Sequence, residues 1–545
     1  MVAFNRMNKI LVFFKSISYF LALPLLSGIM VGTSYIPFYG WALLFCYIPL
    51  WFKTMELLRD NKKISQIFLC AWFTQFVLTL IGFNWIYYVS REFGNLPVVL
   101  SFAALIGFAA FMHLYIAIAV TAAAVLIRKL RIQNKLIQFL VIALSMSLAE
   151  RVWPSIFEWN LGYSLLWMEL PLFQWADTVG FWGLSTWIFI AQAFIAYAVY
   201  LFINKEKKPA FILLGQTVAV LLMLNATGYF KGLYWSKTDD VTRVAVTQGN
   251  IGNAEKLQSE KRSEFHAYII GAYSDKTTAH LQKSPADFII WPETALPMAL
   301  DKKYLHGKNQ RKVLSLVQDW GIPLVTGGYS VSENEQDDNG DDIIRNAVFY
   351  ISPKRDFSAP PYFKTNLLAF GEYMPLGDVF PFLYKLLPFV GTYAEGSGPV
   401  IAKIQLKDKV LRLGPQICYD SLYPNFSREL SKNGAQIIYN VTNDAWFGWW
   451  AEPFQHQYMT LGRAVEVRRP LVRSTNTGFS SAILADGTVL TISPINEAWA
   501  HTFEIKHKKN APLTLFTKFG YLDWIIWLLL LAVLLFQYRT KGENV

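Results

Sequence analysis

Three side chains able to do nucleophilic chemistry stand in order along one polar stretch of this 545-residue chain: Glu293, Lys364 and Cys418. Cys418 follows a strand-like run, Val410 to Ile417, and precedes Tyr419 and Asp420. A thiol is only slightly ionised near neutrality, so it needs a base or a cation to attack well. Glu293 closes the apolar run Ile289-Ile290-Trp291-Pro292. A carboxylate held against such groups is expected to have a raised pKa, which suits it to take a thiol proton. Lys364 opens the segment that ends at Glu372. Its charge would hold a developing oxyanion, with the backbone N–H after Cys418 as a second donor. Each residue alone has a bland reading; base, cation and thiol together describe covalent catalysis.

Such groups must be positioned by a sheet. A thiol at the C-terminal edge of a strand lies where open α/β sheets place ligands. Strand patterns recur at Val241–Val246, Asp287–Trp291, Ile322–Gly328, Val410–Ile417 and Gln436–Asn440, with helical stretches at Ser259–His280 and Gln310–Trp320. The alternation predicts an α/β domain over 241–507, about 265 residues. The polar run Ser332–Asp342 reads as a surface loop.

The remainder reads as membrane. Apolar residues make up 53% of the chain and charged ones 16%, outside the soluble range. Spans are expected near 16–34, 38–52, 64–89, 98–127, 136–150, 181–203, 209–230 and 521–538. Seven fall in an N-terminal bundle over 1–230 and one closes the chain at 521–538. Arg6, Lys9 and Lys15 precede the first span, and no small-residue cleavage site follows, so this span reads as uncleaved. Basic residues also gather at Lys53–Lys63, Arg128–Lys135, Lys205–Lys208 and Arg539–Lys541, while the alternate loops are nearly bare. The positive-inside rule then puts both termini in the cytoplasm and residues 231–520 outside. The net charge of +11 is membrane-flanking charge, and no nucleic-acid partner is expected. Cys46 and Cys70 fall in apolar runs, leaving Cys418 without a disulfide partner in its domain.

Five local motifs carry a resemblance. They are Ile290-Trp291-Pro292-Glu293-Thr294-Ala295, Phe370-Gly371-Glu372-Tyr373-Met374-Pro375, Ile417-Cys418-Tyr419-Asp420, Asn443-Asp444-Ala445-Trp446-Phe447-Gly448 and Arg473-Ser474-Thr475-Asn476-Thr477-Gly478. With the Glu–Lys–Cys order they resemble the nitrilase superfamily and, more narrowly, the bacterial apolipoprotein N-acyltransferases. The resemblance implies an αββα sandwich on the outer face of the inner membrane, carried by a helical transmembrane bundle. It implies a thiolate, Cys418, that takes the sn-1 acyl chain of a phospholipid as a thioester. The chain then passes to the α-amine of a diacylglyceryl-cysteine on an apolipoprotein. Glu293 would be the base and Lys364 the oxyanion cation. Glu372 would orient the lysine or assist proton transfer, and Tyr419 would be the family's aromatic neighbour of the nucleophile. Asp420 stands where the family often has glutamate, keeping the carboxylate one methylene shorter. Leu257 stands where relatives can carry tryptophan.

A membrane-tethered amidase that uses water as acceptor is the alternative enzyme. The apolar run from Phe380 to Phe389 reads either as core or as a lid dipping into the membrane, and Trp446, Phe447, Trp449 and Trp450 as core or as an interfacial belt. His456 reads as structural. The seven histidines show no metal spacing and no phosphate-binding glycine loop is present, so neither metal nor cofactor is expected.

Overall fold

The computed structural model describes residues 19–542, apart from 253–254, 256–257, 259–261, 263, 337–341, 378, 387–389 and 523. Leu257 and the end of the 380–389 run therefore lie outside the described residues. Long apolar runs satisfy their backbone groups internally as helices. In order these are α1 (Tyr19–Gly32), α2 (Ile48–Arg59), α3 (Ile64–Gly82), α4 (Trp85–Glu92) and α5 (Val98–Phe111). There follow α6 (Leu114–Lys129), α7 (Lys135–Val152), α8 (Tyr163–Trp167), α9 (Ala176–Ile203) and α10 (Lys207–Trp235).

Four helical stretches are long and apolar enough to cross a bilayer: Ile64–Gly82, Val98–Lys129, Pro171–Ile203 and Lys207–Trp235. They coincide with four of the expected spans. The expected span 38–52 is different, because residues 41–47 form successive turns and the helix starts only at Ile48. The stretch expected as one helix over 98–127 is two, parted at Met112-His113, where the backbone leaves helical geometry. His113 is buried there, its Nδ1 2.7 Å from the Thr79 hydroxyl. Hydropathy records that both halves are apolar and says nothing of such a contact.

Beyond α10 the pattern changes to short buried strands. A six-stranded sheet has the order β11-β1-β2-β3-β4-β5 and a five-stranded sheet the order β10-β9-β8-β7-β6. The first uses β1 (Asp240–Gln248), β2 (Phe288–Ile290), β3 (Leu324–Gln336), β4 (Asp342–Ile351), β5 (Phe357–Phe363) and β11 (Trp499–His507). The second uses β6 (Ala402–Gln405), β7 (Val410–Ile417), β8 (Ile437–Thr442), β9 (Leu471–Thr475) and β10 (Ser481–Ile483). Each sheet has a parallel centre, β1–β2–β3 and β7–β8–β9, flanked by antiparallel strands. Parallel centres bury both faces, which is why Phe288, Ile289 and Ile290 are all apolar and all inside. The run expected as a loop over 332–342 is partly strand: β3 continues through Gln336 and pairs with Asp342. Antiparallel pairing to β4 tolerates the polar residues, because an antiparallel sheet can leave a face to water.

Helices α11 (Glu264–Leu281) and α12 (Lys308–Trp320) cover the outer face of the first sheet through Ile269, Tyr273, Val313 and Val317. The sheets face each other through Val246, Ile290, Val348, Leu413 and Val441, and the Tyr350 and Tyr439 hydroxyls meet between them at 2.8 Å. A short α13 (Phe382–Leu386) follows β5; α14 (Pro424–Lys432) and α15 (Glu452–Val467) cover the second sheet. The result is an αββα sandwich. Two last helices, α16 (Leu515–Phe519) and α17 (Trp524–Gly542), close the chain.

The α15 layer is shared with the membrane bundle. Gln455 donates to the carbonyls of Ile36 and Gly82, both at 2.8 Å, and accepts from Trp85 Nε1 at 3.2 Å. Just past α15, Arg468 adopts a left-handed backbone and buries its guanidinium against Asp177 at 2.9 Å and Gln174 at 2.7 Å. Asp177 also pairs with Lys231 at 2.7 Å, so one carboxylate ties α9, α10 and the sandwich together. Removing one partner of a buried pair is costly because the other charge stays desolvated. Arg468→Met should destabilise the protein in detergent by about 3 kcal/mol, lowering its thermal midpoint, while a surface control such as Lys432→Met should not move it.

Candidate active site

Glu293 leaves β2 after Trp291-Pro292 and lies buried beside the start of β3. A side chain at Gly327 would meet Glu293 Cα at 2.7 Å and the Pro292 carbonyl at 2.6 Å, so only glycine lets β3 pass this loop. One carboxylate oxygen of Glu293 accepts from the Asn443 backbone N–H at 3.0 Å. The other accepts from Asn346 Nδ2 at 2.7 Å and lies 3.3 Å from Lys364 Nζ.

Lys364 follows β5, is 2% exposed, and pairs more tightly with Glu372 at 2.7 Å. Burial disfavours its ammonium, but Glu293, Glu372 and the Cys418 sulfur outweigh that and hold its pKa well above the ordinary lysine value. It is therefore charged throughout the working pH range. Glu372 also accepts from the Leu368 N–H at 2.8 Å and from Asn346 Nδ2 at 3.1 Å. Asn346, on β4, thus bridges the two carboxylates.

Cys418 follows β7 directly with φ +48°, a left-handed turn that costs strain in any residue bearing a Cβ. The Asn440 amide and the Ser421 hydroxyl hold its carbonyl at 2.9 and 3.0 Å. Burial and then the negative charge of Glu293 push the thiol well above its ordinary value, against Lys364, which pulls it down. The resting sulfur is therefore a thiol, and a proton acceptor is needed.

The neighbours divide two tasks. Asp420 is fully buried and accepts from Tyr362 OH at 2.6 Å, Asn366 N at 2.8 Å, Asn366 Nδ2 at 3.0 Å and Ile417 N at 3.0 Å. The shorter carboxylate thus ties the segment after Lys364 to the turn that carries the thiol. Tyr419 points the other way, towards the bundle, with ring centroids 5.3 Å from Phe157 and 5.9 Å from Phe447. Phe447 is buried, whereas Trp449 is 64% exposed, so the aromatic run divides between core and surface.

Of the six residues singled out from the sequence, Glu293, Lys364 and Glu372 make one ion cluster. Cys418 couples to its first two members, and Tyr419 and Asp420 brace the turn. Asn346 and Tyr362 were missed, because an Asn or Tyr in a strand carries no local sign of what it reaches. His456 packs its ring 4.8 Å from Tyr419, with Nδ1 3.1 Å from Asp444. Asp444, Glu452 and His456 form a group with metal-like proximity among the described residues, which linear spacing did not reveal. Arg473 already brings a cation to it, 2.7 Å from Asp444 and 3.2 Å from His456 Nδ1, so the group does not fit a metal ion.

Bundle, sandwich and buried Glu–Lys–Cys constellation define the class: an integral-membrane enzyme with a nitrilase-type domain. Residues 243–501 match the carbon-nitrogen hydrolase family, and residues 27–194 the apolipoprotein N-acyltransferase N-terminal domain. Apolipoprotein N-acyltransferase from Bdellovibrio bacteriovorus is 46% identical over 97% of this chain and 96% of its own. That from Geobacter metallireducens is 29% identical over 75% of each. A Saccharomyces cerevisiae member of branch 10 of the nitrilase superfamily is 14% identical over 49% of this chain and 91% of its own, with a TM-score of 0.35. The chain belongs to the apolipoprotein N-acyltransferase family. It is an acyltransferase of lipoprotein biosynthesis and a bacterial membrane protein, and the amidase alternative is not favoured.

Two outcomes test the geometry. Alkylation of Cys418 by iodoacetamide, followed by mass spectrometry, should reach its half-maximal rate well above the pH of about 8.5 that is the midpoint for a free thiol. Asn346→Ala should lower the turnover rate about tenfold with the circular dichroism spectrum unchanged, because two carboxylates lose a shared donor.

Proposed function

We propose that Cys418 is the nucleophile, Glu293 the general base and acid, and Lys364 the oxyanion cation of a two-step acyl transfer. Glu293 takes the thiol proton, and the thiolate attacks the sn-1 ester carbonyl of a phospholipid. Lys364 and the Tyr419 N–H hold the tetrahedral oxyanion. The ester C–O bond breaks, Glu293 returns the proton to the leaving glycerol oxygen, and a thioester remains with a lysophospholipid. The α-amine of a diacylglyceryl-cysteine then attacks the thioester. Its proton passes to Glu293, the C–S bond breaks, and the thiolate is reprotonated. Glu372 keeps Lys364 in place. No cofactor takes part in these steps.

The observation that carries this reading is the shared cluster, in which a 2%-exposed ammonium lies 3.3 Å from the base and 2.7 Å from Glu372. A charged lysine beside a neutral thiol stabilises negative charge only when it forms, which is transition-state selectivity. In this reading the sandwich lies on the outer face of the inner membrane, with residues 241–507 as the catalytic domain. Leu376, Val379, Phe380 and Phe382, close after Glu372, expose large apolar side chains and would dip into the bilayer beside the lipid entrance.

Purified protein in phospholipid vesicles without acceptor should gain one hydroxylamine-labile acyl mass on the peptide bearing Cys418, and Cys418→Ala should gain none. A diacylated lipopeptide should discharge it as an N-acyl product. An active preparation with no such adduct would remove Cys418 as nucleophile; discharge as free fatty acid in the presence of lipopeptide would favour water as acceptor.

A further inference from the structure

Glu452 is 2% exposed, in a layer where packing alone would favour an aliphatic residue. One of its carboxyl oxygens accepts from Tyr419 OH at 3.1 Å. The other, Oε2, is buried without a partner among the described residues, and so is Nε2 of His456, one helical turn on. Both residues line a cavity at the seam between sandwich and bundle, closed on the bundle side by Phe83, Trp85, Phe157 and Trp159. It leaves about 10 Å³ for the centre of a water molecule, room for one ordered water. Ala451, just before Glu452, has φ +63° and ψ −69°, and the Glu452 N–H reaches back to the Trp450 carbonyl at 3.0 Å. That is the rare strained γ-turn, a conformation kept only where the surroundings impose it.

We propose that Glu452 is a positioning residue for acyl transfer, a hydrogen-bonding strut that fixes Tyr419 and through it the Cys418–Tyr419 peptide. One water in the cavity would join Glu452 Oε2 to His456 Nε2. Holding the ring and hydroxyl of Tyr419 at fixed points restrains its Cα, and with it the peptide whose N–H would face the oxyanion. Its phenol is therefore anchored at one end by Glu452 while its ring is wedged between Phe157 of the bundle and His456 of α15. The strut thus carries the seating of the sandwich on the bundle to the nucleophile turn.

The strut works uncharged. Burial first, and then the negative charge of Asp444, hold the Glu452 pKa well above the ordinary carboxylate value, against Arg473. His456 is pushed down to about 4 by burial and by Arg473. Asp444, from the turn after β8, stays ionised against Arg473 of β9. Tyr419 and Cys418 face the group from the turn after β7, and both are raised by burial. The bundle residues lining the cavity, Phe83, Trp85, Phe157 and Trp159, are aromatic rings that carry no titratable group. A neutral acid can be replaced by an amide; a carboxylate that acts through its charge cannot.

The inference rests on Cys418 as nucleophile, and the test separates the two. The rate of hydroxylamine-labile acylation of Cys418 is followed in phosphatidylethanolamine vesicles for wild type, Glu452→Ala, Glu452→Gln and Tyr419→Phe. Glu452→Ala and Tyr419→Phe should each slow acylation about tenfold with the KM for phospholipid unchanged. Glu452→Gln should recover to within about threefold of wild type, and its pH profile should overlay that of wild type. Wild-type acylation in Glu452→Ala would overturn the proposal, as would a Gln variant as slow as the Ala variant. Should Glu452→Ala not fold, the contrast between Glu452→Gln and Tyr419→Phe gives the same decision. If wild type itself forms no adduct, the nucleophile assignment fails instead.

Discussion

A lysine ammonium removed from water must be given anions, and the architecture of the candidate site follows from that requirement at Lys364. Two carboxylates on separate segments are brought to it, and two carboxylates so close would repel each other without the cation. Asn346 donates to both and fixes their spacing. The β2 exit, the β4 strand and the loop after β5 are therefore mutually constrained, and the thiol turn at the end of β7 closes the set. Removing the cation would leave two buried carboxylates facing each other without a counter-charge.

The same constraint explains the resting state. Desolvation and Glu293 favour the thiol over the thiolate, while Lys364 favours the thiolate. The balance keeps the resting sulfur neutral. The thioester proposed above would benefit from a site that excludes water, and the buried cluster sits where the sandwich is seated on the membrane bundle.

That seating is itself polar. Gln455 satisfies two bundle carbonyls, and Arg468 is spread over Asp177, Gln174 and the Ala485 carbonyl. Arg151, at the end of α7, lies 3.7 Å from the centre of the Tyr521 ring and 4.9 Å from that of Trp524, so cation–π contacts hold the start of the last helix at the bundle. Such contacts fix one arrangement of bundle and sandwich where apolar packing alone would permit several. The helix α15 serves both sides, with Gln455 facing the bundle and His456, the next residue, facing Tyr419.

The sequence by itself determined what is local. Apolar runs showed where most of the membrane helices lie, because hydropathy is summed over neighbours, and short apolar or alternating runs showed β1, β2, β3, β7 and β8. Glu293, Lys364 and Cys418 each had a bland reading alone and were singled out by their order along the chain and by the motifs around them. The tertiary structure alone decided which groups meet: Asn346 between two carboxylates, Asp420 under four donors, Glu452 against Tyr419, Arg468 on Asp177. It also decided that the apolar stretch from Val98 to Lys129 breaks at His113 and that β3 continues through a polar run. The physical reason is common to all of these. Periodicity and composition encode the free energy of burying a segment. The partner of a buried polar atom is set by whichever distant segment the fold brings within about 3 Å, and no nearby residue records it.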